Sequence, residues 1–215
     1  MLLGGVDEAG RGSMIGPLVI AGISVEKDAI DYLRSEGVCD SKKITSRKRE
    51  LLYPKIISFS KSVYVCRIDP QTIDLYVHQK KLNLLEAKFM SIVSDNLKAD
   101  KIIIDACDVN LERFKHNIME NLRNTSAKIY CFHKADTDNV VVSAASIIAK
   151  VTRDRQIVRI EKKINERIGS GYPSDPLTRL FIRNNIKNVL IKEYIRFSWY
   201  PVKCLLNEIT QTKIF

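Results

Sequence analysis

The sequence has few of the features that mark membrane, secreted or zinc-binding proteins. Its longest apolar runs, such as residues 15–25, are about half the roughly 20 residues that a membrane-spanning helix needs. Its first residues do not show the basic and small-residue pattern of a signal peptide. The five cysteines are odd in number and include no C-x-x-C pair, which argues against zinc and thioredoxin-like motifs. We therefore expect a cytoplasmic protein with reduced thiols and no membrane partner.

The composition suits one globular domain with a small appendage. The 215 residues are 45% apolar, which is enough to build a core and argues against intrinsic disorder. The chain has 35 basic and 25 acidic side chains, and residues 150–215 hold fourteen of the basic and six of the acidic ones. This local surplus of positive charge indicates a polyanionic partner, nucleic acid before an acidic membrane. The alternative is a basic surface that only keeps the protein in solution.

The apolar pattern predicts an α/β fold. Strands are predicted at residues 1–6, 17–25, 62–68, 101–105 and 127–132. Helices are predicted at residues 47–57, with Thr45 or Ser46 as N-cap, and at 71–97, 110–122, 140–168, 176–190 and 199–209. The first two strands suit an antiparallel pair, and the later strand–helix alternation suits parallel pairing. We expect a catalytic domain over residues 1–168 and a basic helical segment over 169–215, packed on that domain.

Acidic residues follow three of the predicted strands. Asp7 and Glu8 end the first, Asp105 ends the fourth, and Asp136 follows the last by a few residues. Carboxylates gathered at one edge of a sheet repel each other unless they are protonated or bridged by cations. All-oxygen ligands favour Mg²⁺ or Mn²⁺ over zinc. Because adjacent strand residues face opposite ways, Asp7 and Glu8 are expected to share a metal only if the strand stops at Asp7. The spacing alone does not identify a reaction.

Four further features each have two interpretations. The Gly10-Arg-Gly12 turn lacks the full dinucleotide motif, but it lets backbone amides approach a ligand closely. Residues 40–43, which end in Lys43, offer either cations for phosphates or a solvated turn. Tyr172, between a glycine and a proline, is either a packed hinge residue, which we favour from the sequence physics, or a ring that stacks on a base. His133 either caps a strand or transfers protons.

Several longer motifs resemble those of ribonuclease HII in its archaeal form. They are GVDEAGRGSMIGPLV at 5–19, CDSKK at 39–43, IDACD at 104–108, HKAD at 133–136, VSAASIIAKVTRD at 142–154 and GSGYPSD at 169–175. The resemblance covers nearly the whole chain. It implies a ribonuclease H-like fold, a five-stranded mixed sheet flanked by helices with a C-terminal helical appendage.

The resemblance also assigns roles to residues. It makes Asp7, Glu8, Asp105 and Asp136 the four ligands of two catalytic metal ions. It makes Gly10, Arg11 and Gly12 the loop that senses the ribose 2′-hydroxyl, and Tyr172 the ring that stacks beside the RNA–DNA junction, which reverses the preference for a hinge. Further residues are expected to line the nucleic-acid path: Lys43, Ser143, Ser146, Lys150 and Arg153. The motif departs from the family after Asp136, where an extra carboxylate, Asp138, stands in a Thr-Asp-Asn sequence.

The activity that the resemblance implies is endonucleolytic hydrolysis of RNA/DNA hybrids and cleavage 5′ of single ribonucleotides in duplex DNA. The products would carry a 5′-phosphate and a 3′-hydroxyl. The alternative is a noncatalytic or differently specific nucleic-acid-binding member of the same superfold. We expect a monomer. No clear motif in the sequence supports a sliding clamp as a partner, and residues 210–215 are either a frayed end or a docking peptide.

Overall fold

The protein is described here by a computed structural model that covers residues 1–38 and 44–211. Its five described strands are β1 Leu2–Ala9, β2 Leu18–Glu26, β3 Ser62–Ile68, β4 Lys101–Asp105 and β5 Lys128–Phe132. They form one sheet in the order β3-β2-β1-β4-β5. The β1 strand is antiparallel to β2 and parallel to β4, and β4 is parallel to β5. The predicted α/β class and the mixed five-stranded sheet are confirmed.

Ten helices complete the described part of the chain. They are α1 Ala29–Ser35, α2 Ser46–Phe59, α3 Pro70–His78, α4 Leu82–Asp95, α5 Leu111–Asn121, α6 Ala135–Asp138, α7 Val140–Ile164, α8 Pro176–Asn185, α9 Val189–Lys192 and α10 Tyr200–Gln211. Several begin at N-caps, where a side-chain oxygen accepts a backbone N–H of the first turn. Thr45 caps α2, Asn110 caps α5 and Asp175 caps α8. None of these helices is long and apolar enough to cross a membrane.

The single helix predicted over residues 71–97 is wrong, because the structure has two helices there. Lys80 adopts a left-handed conformation with φ of 57°, and the Lys81 N–H donates to the Tyr76 carbonyl at 2.8 Å, which closes the end of α3. Leu75, in the first of these helices, is 56% exposed. The short helices α1 and α6 were not predicted. The predicted helix at 176–190 ends earlier, at Asn185, and a separate turn forms α9.

The chain clusters into two compact units. The first comprises residues 1–9, 19–66 and 83–151. Its core joins apolar residues of β2, such as Ala21 and Ile23, to the small side chains of α7, such as Ala144 and Ala145. Gly5 on β1 permits this close packing, because a Cβ there would lie 2.5 Å from the Val141 carbonyl group. The helix predicted at residues 140–168 is therefore confirmed; it ends at Ile164 and its small side chains pack on the sheet.

The second unit comprises residues 10–18, 67–82 and the chain from 152 onward. Its core is a cluster of buried side chains from the loop after β1 and from the C-terminal helices, among them Ile15, Ile157, Phe181 and Val202. The predicted domain boundary near residue 168 stays a prediction. None of the four described cysteines, Cys66, Cys107, Cys131 and Cys204, forms a disulfide.

Candidate active site

Three of the predicted carboxylates meet at the end of β1 and β4. One ligand oxygen from each of Asp7, Glu8 and Asp105 lies within 4.8 Å of the others. Asp7 is only 3% exposed, and its burial, followed by the neighbouring charge of Glu8, raises the pKa of its carboxyl well above the usual range. The cluster thus places two partly buried carboxylates beside a buried one, and a divalent cation would relieve the repulsion between them.

The expectation that β1 must stop at Asp7 for both acids to converge is wrong. The strand continues to Ala9 and stays paired with β2, with Glu8 opposite Ile20. Its pairing with β4, however, ends where Val6 lies opposite Ile104. In the described part of the sheet, the edge of β1 that faces β4 is therefore open at Asp7 and Glu8. The Glu8 N–H also donates to the Asp7 carboxylate at 2.7 Å, which turns that carboxylate toward the next residue. The longer side chain of Glu8 reaches the rest of the way.

Asp105 is held by the loop that follows β5. The Ala135 N–H donates to Asp105 Oδ1 at 2.8 Å, and Lys134 adopts a left-handed φ of 55° that lets the loop turn over the end of β4. Asp136 lies in α6 and is 2% exposed, yet it is not part of the three-acid cluster that the described residues form. Its predicted role as a fourth metal ligand stays a prediction.

A hydrogen-bond chain from α7 reaches the cluster. Lys150 Nζ donates to Ser146 Oγ at 3.0 Å, and the Ser146 side chain hydrogen-bonds the Asp7 carboxylate, which lowers the pKa of Asp7 against the larger effect of burial. Ser146 is completely buried and Ser143 nearly so. Asn139 accepts from the Val141 N–H at 2.9 Å, which sets where α7 begins. The structure thus joins two of the predicted substrate-path residues, Ser146 and Lys150, to the acids.

The donor set fits a hard divalent cation. The cluster offers carboxylate oxygens only, and such ligands suit Mg²⁺ or Mn²⁺. A buried carboxyl whose pKa is raised by a like charge is most easily kept ionised when a cation is bound beside it. Asp7, Glu8 and Asp105 are therefore the residues that would hold a metal ion.

The Gly10–Gly12 turn belongs to the second unit. Gly10 has a φ of 89°, and a Cβ there would lie 2.9 Å from the Pro17 carbonyl oxygen, so glycine is required by the backbone. Its carbonyl accepts from both the backbone N–H and the hydroxyl of Ser13. Gly12 is different: it is exposed, and a Cβ there would meet nothing within 4 Å. Nothing in the described protein requires a glycine at position 12, and the space beside it is open.

Arg153 and Tyr172 lie together in the same unit. The Arg153 guanidinium carbon sits 4.3 Å from the centre of the half-buried Tyr172 ring, a cation–π contact. Arg153 is 2% exposed, and within the described part of the chain its Nε and Nη2 have no hydrogen-bond partner, while Nη1 donates to Asp154. Gly171 makes room for it, since a Cβ there would lie 2.5 Å from Nη2. A buried guanidinium with unsatisfied donors would be stabilised by an anionic oxygen beside it.

Three candidate residues from the sequence analysis remain: Lys43, His133 and Asp138. Lys43 lies outside the described residues. His133 and Asp138 are both exposed. The sequence did not single out Arg196, which is fully buried and donates to the Arg11 carbonyl at 3.1 Å, or Glu86, a fully buried acid that accepts from the Cys107 thiol at 2.9 Å. No local pattern marks a charged residue as buried, so only the fold reveals these two.

Comparison with known proteins agrees with this architecture. The solved structure of ribonuclease H2 from Pyrococcus horikoshii OT3 superposes with a TM-score of 0.85 at 39% identity, covering 97% of this chain and 98% of that one. Ribonuclease HII of Archaeoglobus fulgidus, solved in a complex with PCNA, gives a TM-score of 0.82 at 36% identity over 93% of this chain and 95% of that one. The fold is therefore ribonuclease H-like, as the resemblance implied.

The sequence comparisons point the same way. Ribonuclease HII of Cenarchaeum symbiosum is 44% identical over 206 residues, which cover 95% of this chain and 98% of the relative. The sequence model described as Ribonuclease HII matches residues 4–202. This match spans β1 with its acidic pair, the Gly10–Gly12 turn, α7 and the Tyr172 segment. The chain belongs to the ribonuclease HII family.

Proposed function

We propose that this protein is a metal-dependent endoribonuclease that hydrolyses the RNA strand of RNA/DNA hybrids. It also cuts 5′ of single ribonucleotides embedded in duplex DNA and leaves 5′-phosphate and 3′-hydroxyl ends. One observation carries the proposal: in a chain of this family, three carboxylates converge within 4.8 Å at the edge of the sheet. Carboxylates at the carboxyl ends of strands are rigidly held and yet reachable by substrate.

The carboxylates supply the place for two Mg²⁺ or Mn²⁺ ions. Cations held there would supply Lewis-acid chemistry, namely a more acidic water and stabilisation of the charge on a leaving phosphodiester oxygen. Asp7, Glu8 and Asp105 hold the charge that binds them, with Asp136 as the proposed fourth ligand. Ser146 and Lys150 fix the Asp7 carboxylate through their hydrogen-bond chain, so that its oxygens keep one orientation. Such orientation by neighbouring groups raises metal affinity and activity.

Substrate recognition is assigned to the second unit. The open space beside Gly12 suits a sugar–phosphate backbone that approaches the main-chain amides, and a contact there reads the 2′-hydroxyl that separates RNA from DNA. The buried donors of Arg153 that lack a hydrogen-bond partner among the described residues give its charge a use beside a phosphate of the same strand. Tyr172 would stack at the junction with its ring braced by the Arg153 guanidinium. Ser143, which is buried at the start of α7, and Lys43, which lies outside the described residues, stay proposed contacts of the nucleic acid.

The decisive assay uses a DNA duplex with one ribonucleotide and an all-DNA duplex of the same sequence, each incubated with Mg²⁺. We expect cleavage of the first alone, at the 5′ side of the ribonucleotide. Asp105→Asn should abolish this cleavage. Asp108→Asn is the matched control: Asp108 lies three residues further on, pairs with Arg113 at 2.6 Å and lies outside the cluster, so cleavage should persist. Cleavage of both duplexes, or full activity in Asp105→Asn, would refute the proposal.

The rival function is a nucleic-acid-binding protein of the same fold that does not cut. Retention of the three converging acids disfavours it, since a protein that only binds nucleic acid gains nothing from a buried anionic cluster. The same assay decides, because tight binding of the duplex with no cleavage in Mg²⁺ or Mn²⁺ would support the rival.

We further propose a sliding clamp as a protein partner of the monomer. The support is that the Archaeoglobus fulgidus relative was solved in a complex with PCNA. Gel filtration with an archaeal PCNA should shift the full chain to an earlier volume. A chain that ends at residue 209 should not shift if residues 210–215 are the docking peptide, and should shift equally if they are a frayed end.

A further inference from the structure

Arg196 is the largest of the completely buried side chains among the described residues. It lies just before α10, in the second unit, and its side chain is 0% exposed. Burying a guanidinium is costly unless hydrogen bonds satisfy its donors. A cation in this position therefore has a specific structural or functional task.

The hydrogen bonds of Arg196 converge on one loop. Its Nη1 donates to the carbonyl of Arg11 at 3.1 Å, and its Nε donates to the carbonyl of Gly16 at 3.1 Å. Its backbone N–H donates to the carbonyl of Met14 at 2.9 Å. All three acceptors lie in the segment that carries the Gly10–Gly12 turn. One residue therefore fixes three points along this loop.

The Arg11 contact controls how the turn faces the outside. In a trans peptide the C=O of one residue and the N–H of the next point to opposite sides. Because Arg196 holds the Arg11 carbonyl, the Gly12 N–H is directed away from the guanidinium, and Gly12 itself is exposed with open space beside it. The guanidinium thus sets the direction of the amide that a ligand at Gly12 would meet.

The segment around Arg196 is itself anchored. Asp74 on α3 accepts the N–H groups of Phe197 at 2.8 Å and Ser198 at 3.0 Å, and also the Ser198 hydroxyl. The ring of Trp199 lies 5.2 Å from the guanidinium carbon of Arg196. Asp74 holds the backbone of this segment and Trp199 braces the side chain, whereas the two guanidinium bonds reach the loop.

We propose that Arg196 is a positioning residue that sets selectivity for a ribonucleotide by fixing the Arg11–Gly12 peptide. This inference rests on the proposed function, in which the Gly10–Gly12 turn reads the 2′-hydroxyl. Arginine is required because its planar fork reaches two carbonyls in one fixed geometry, which the point-like ammonium of lysine cannot do. Arg196 acts through the loop and does not contact the substrate itself.

The test compares two constants in Arg196→Lys: the KM for a duplex with one ribonucleotide, and the Ki of the all-DNA duplex of the same sequence as competitor. We expect the KM to rise about tenfold to 100-fold, the usual effect of a small misplacement of a contact group. The Ki should stay within about twofold, because nonspecific phosphate contacts dominate binding of the all-DNA duplex. The ratio of Ki to KM therefore falls in this variant.

Asp74→Asn is the matched control. It loosens the same C-terminal segment without removing either guanidinium bond to the loop, so its Ki to KM ratio should equal that of the wild type. If circular dichroism shows that Arg196→Lys does not fold, Trp199→Leu is used in its place. This substitution removes the ring that packs beside the guanidinium, at a half-buried site. It should also lower the ratio of Ki to KM.

The outcomes separate this inference from the proposed function. A wild-type protein that does not prefer the ribonucleotide duplex overturns both. A selective wild type, together with an unchanged ratio in the folded Arg196 or Trp199 variant, overturns the role of Arg196 alone. An equal fall of the ratio in Asp74→Asn also overturns it, because Arg196 would then act only as one of several anchors of the segment.

Discussion

At the scale of single residues, Asp7 lies in surroundings that disfavour its ionised form in the absence of a cation. It is buried, and Glu8 and Asp105 approach it within 4.8 Å. The burial, followed by the charge of Glu8, opposes ionisation of Asp7 and raises the pKa of its carboxyl. Such an arrangement costs stability and persists in proteins where the charge is used. The metal-free protein should therefore be less stable than its packing alone would make it.

Replacing this charge should separate stability from activity. In the presence of a chelator, Asp7→Asn should raise the melting temperature, because a neutral amide of the same shape removes the repulsion from Glu8 and Asp105. Addition of Mg²⁺ should raise the melting temperature of the wild type and do so far less in the variant. Differential scanning calorimetry measures both, and a gel assay should show no cleavage by the variant. A variant less stable than the chelated wild type would contradict the argument.

The two glycines of the turn should respond differently to alanine. Gly12→Ala should leave the unfolding free energy within about 0.5 kcal/mol of wild type, since a Cβ meets nothing in the protein, yet it should weaken binding of the ribonucleotide duplex. Gly10→Ala should cost about 1–3 kcal/mol, because its φ is 89° and a Cβ crowds the Pro17 carbonyl. Urea unfolding and fluorescence-anisotropy binding test this pair. Unchanged binding by Gly12→Ala would show that no ligand uses that space.

At the scale of elements, the joint before α8 is held by one carboxylate. Asp175 accepts the Ser170 N–H at 2.6 Å and the Leu177 N–H at 2.9 Å, so it closes the turn that carries Tyr172 and also caps the helix. These bonds, the one from Ser170 first, lower the pKa of Asp175 below its usual value. The turn and the helix are thus stabilised by the ionised form of a single side chain.

This joint should be sensitive to acid. A group with a lowered folded-state pKa adds stability above its unfolded pKa of about 3.9, and that stability is lost as the pH falls through the folded value. At pH 7, Asp175→Ala should lower the unfolding free energy by about 1 kcal/mol, the usual cost of a lost cap. The difference from wild type should shrink below about pH 4. Urea unfolding of both proteins at pH 7 and pH 3 checks this, and a constant difference would contradict it.

Some helices and strands were predicted correctly from the sequence and others were missed, and the difference has a physical cause. Strands such as Ser62–Ile68 and Lys101–Asp105 have the predicted bounds, because a short β-branched or unbroken apolar run marks its own ends. The break between α3 and α4 was missed, since Lys80 carries no local signal for a left-handed conformation. The short helix α6 was also missed. Its position depends on the bond from Ala135 to Asp105, which lies 30 residues away in the sequence.

At the scale of the whole molecule, the charge of +10 should govern how the protein meets nucleic acid. The basic surplus lies after residue 150, and side chains such as Lys162, Arg179 and Lys203 are exposed there. Contacts between such side chains and phosphates release counterions, so affinity falls with salt whatever the base sequence.

Duplex binding should therefore weaken at least about tenfold between 50 and 200 mM salt. The slope of log affinity against log salt concentration should be similar for the all-DNA and the ribonucleotide duplex. The reason is that the two duplexes share the phosphate contacts and the 2′-hydroxyl carries no charge. Replacing Lys162 or Arg179 by glutamine should reduce the slope without changing the ratio of the two affinities. Anisotropy titrations over a salt series give these slopes. A slope near zero would show that the basic surplus has another purpose.

The sequence by itself determined the α/β class, most strand bounds, the acidic positions and the family, because apolar periodicity, capping residues and long motifs are local properties of the chain. Only the tertiary structure decided which groups meet. It showed that β1 runs past Asp7 while its β4 side opens, that Ser146 and Lys150 support Asp7, and that Arg196 fixes the loop at Arg11. These contacts join residues far apart in the chain, and their geometry depends on packing that no short stretch of sequence encodes.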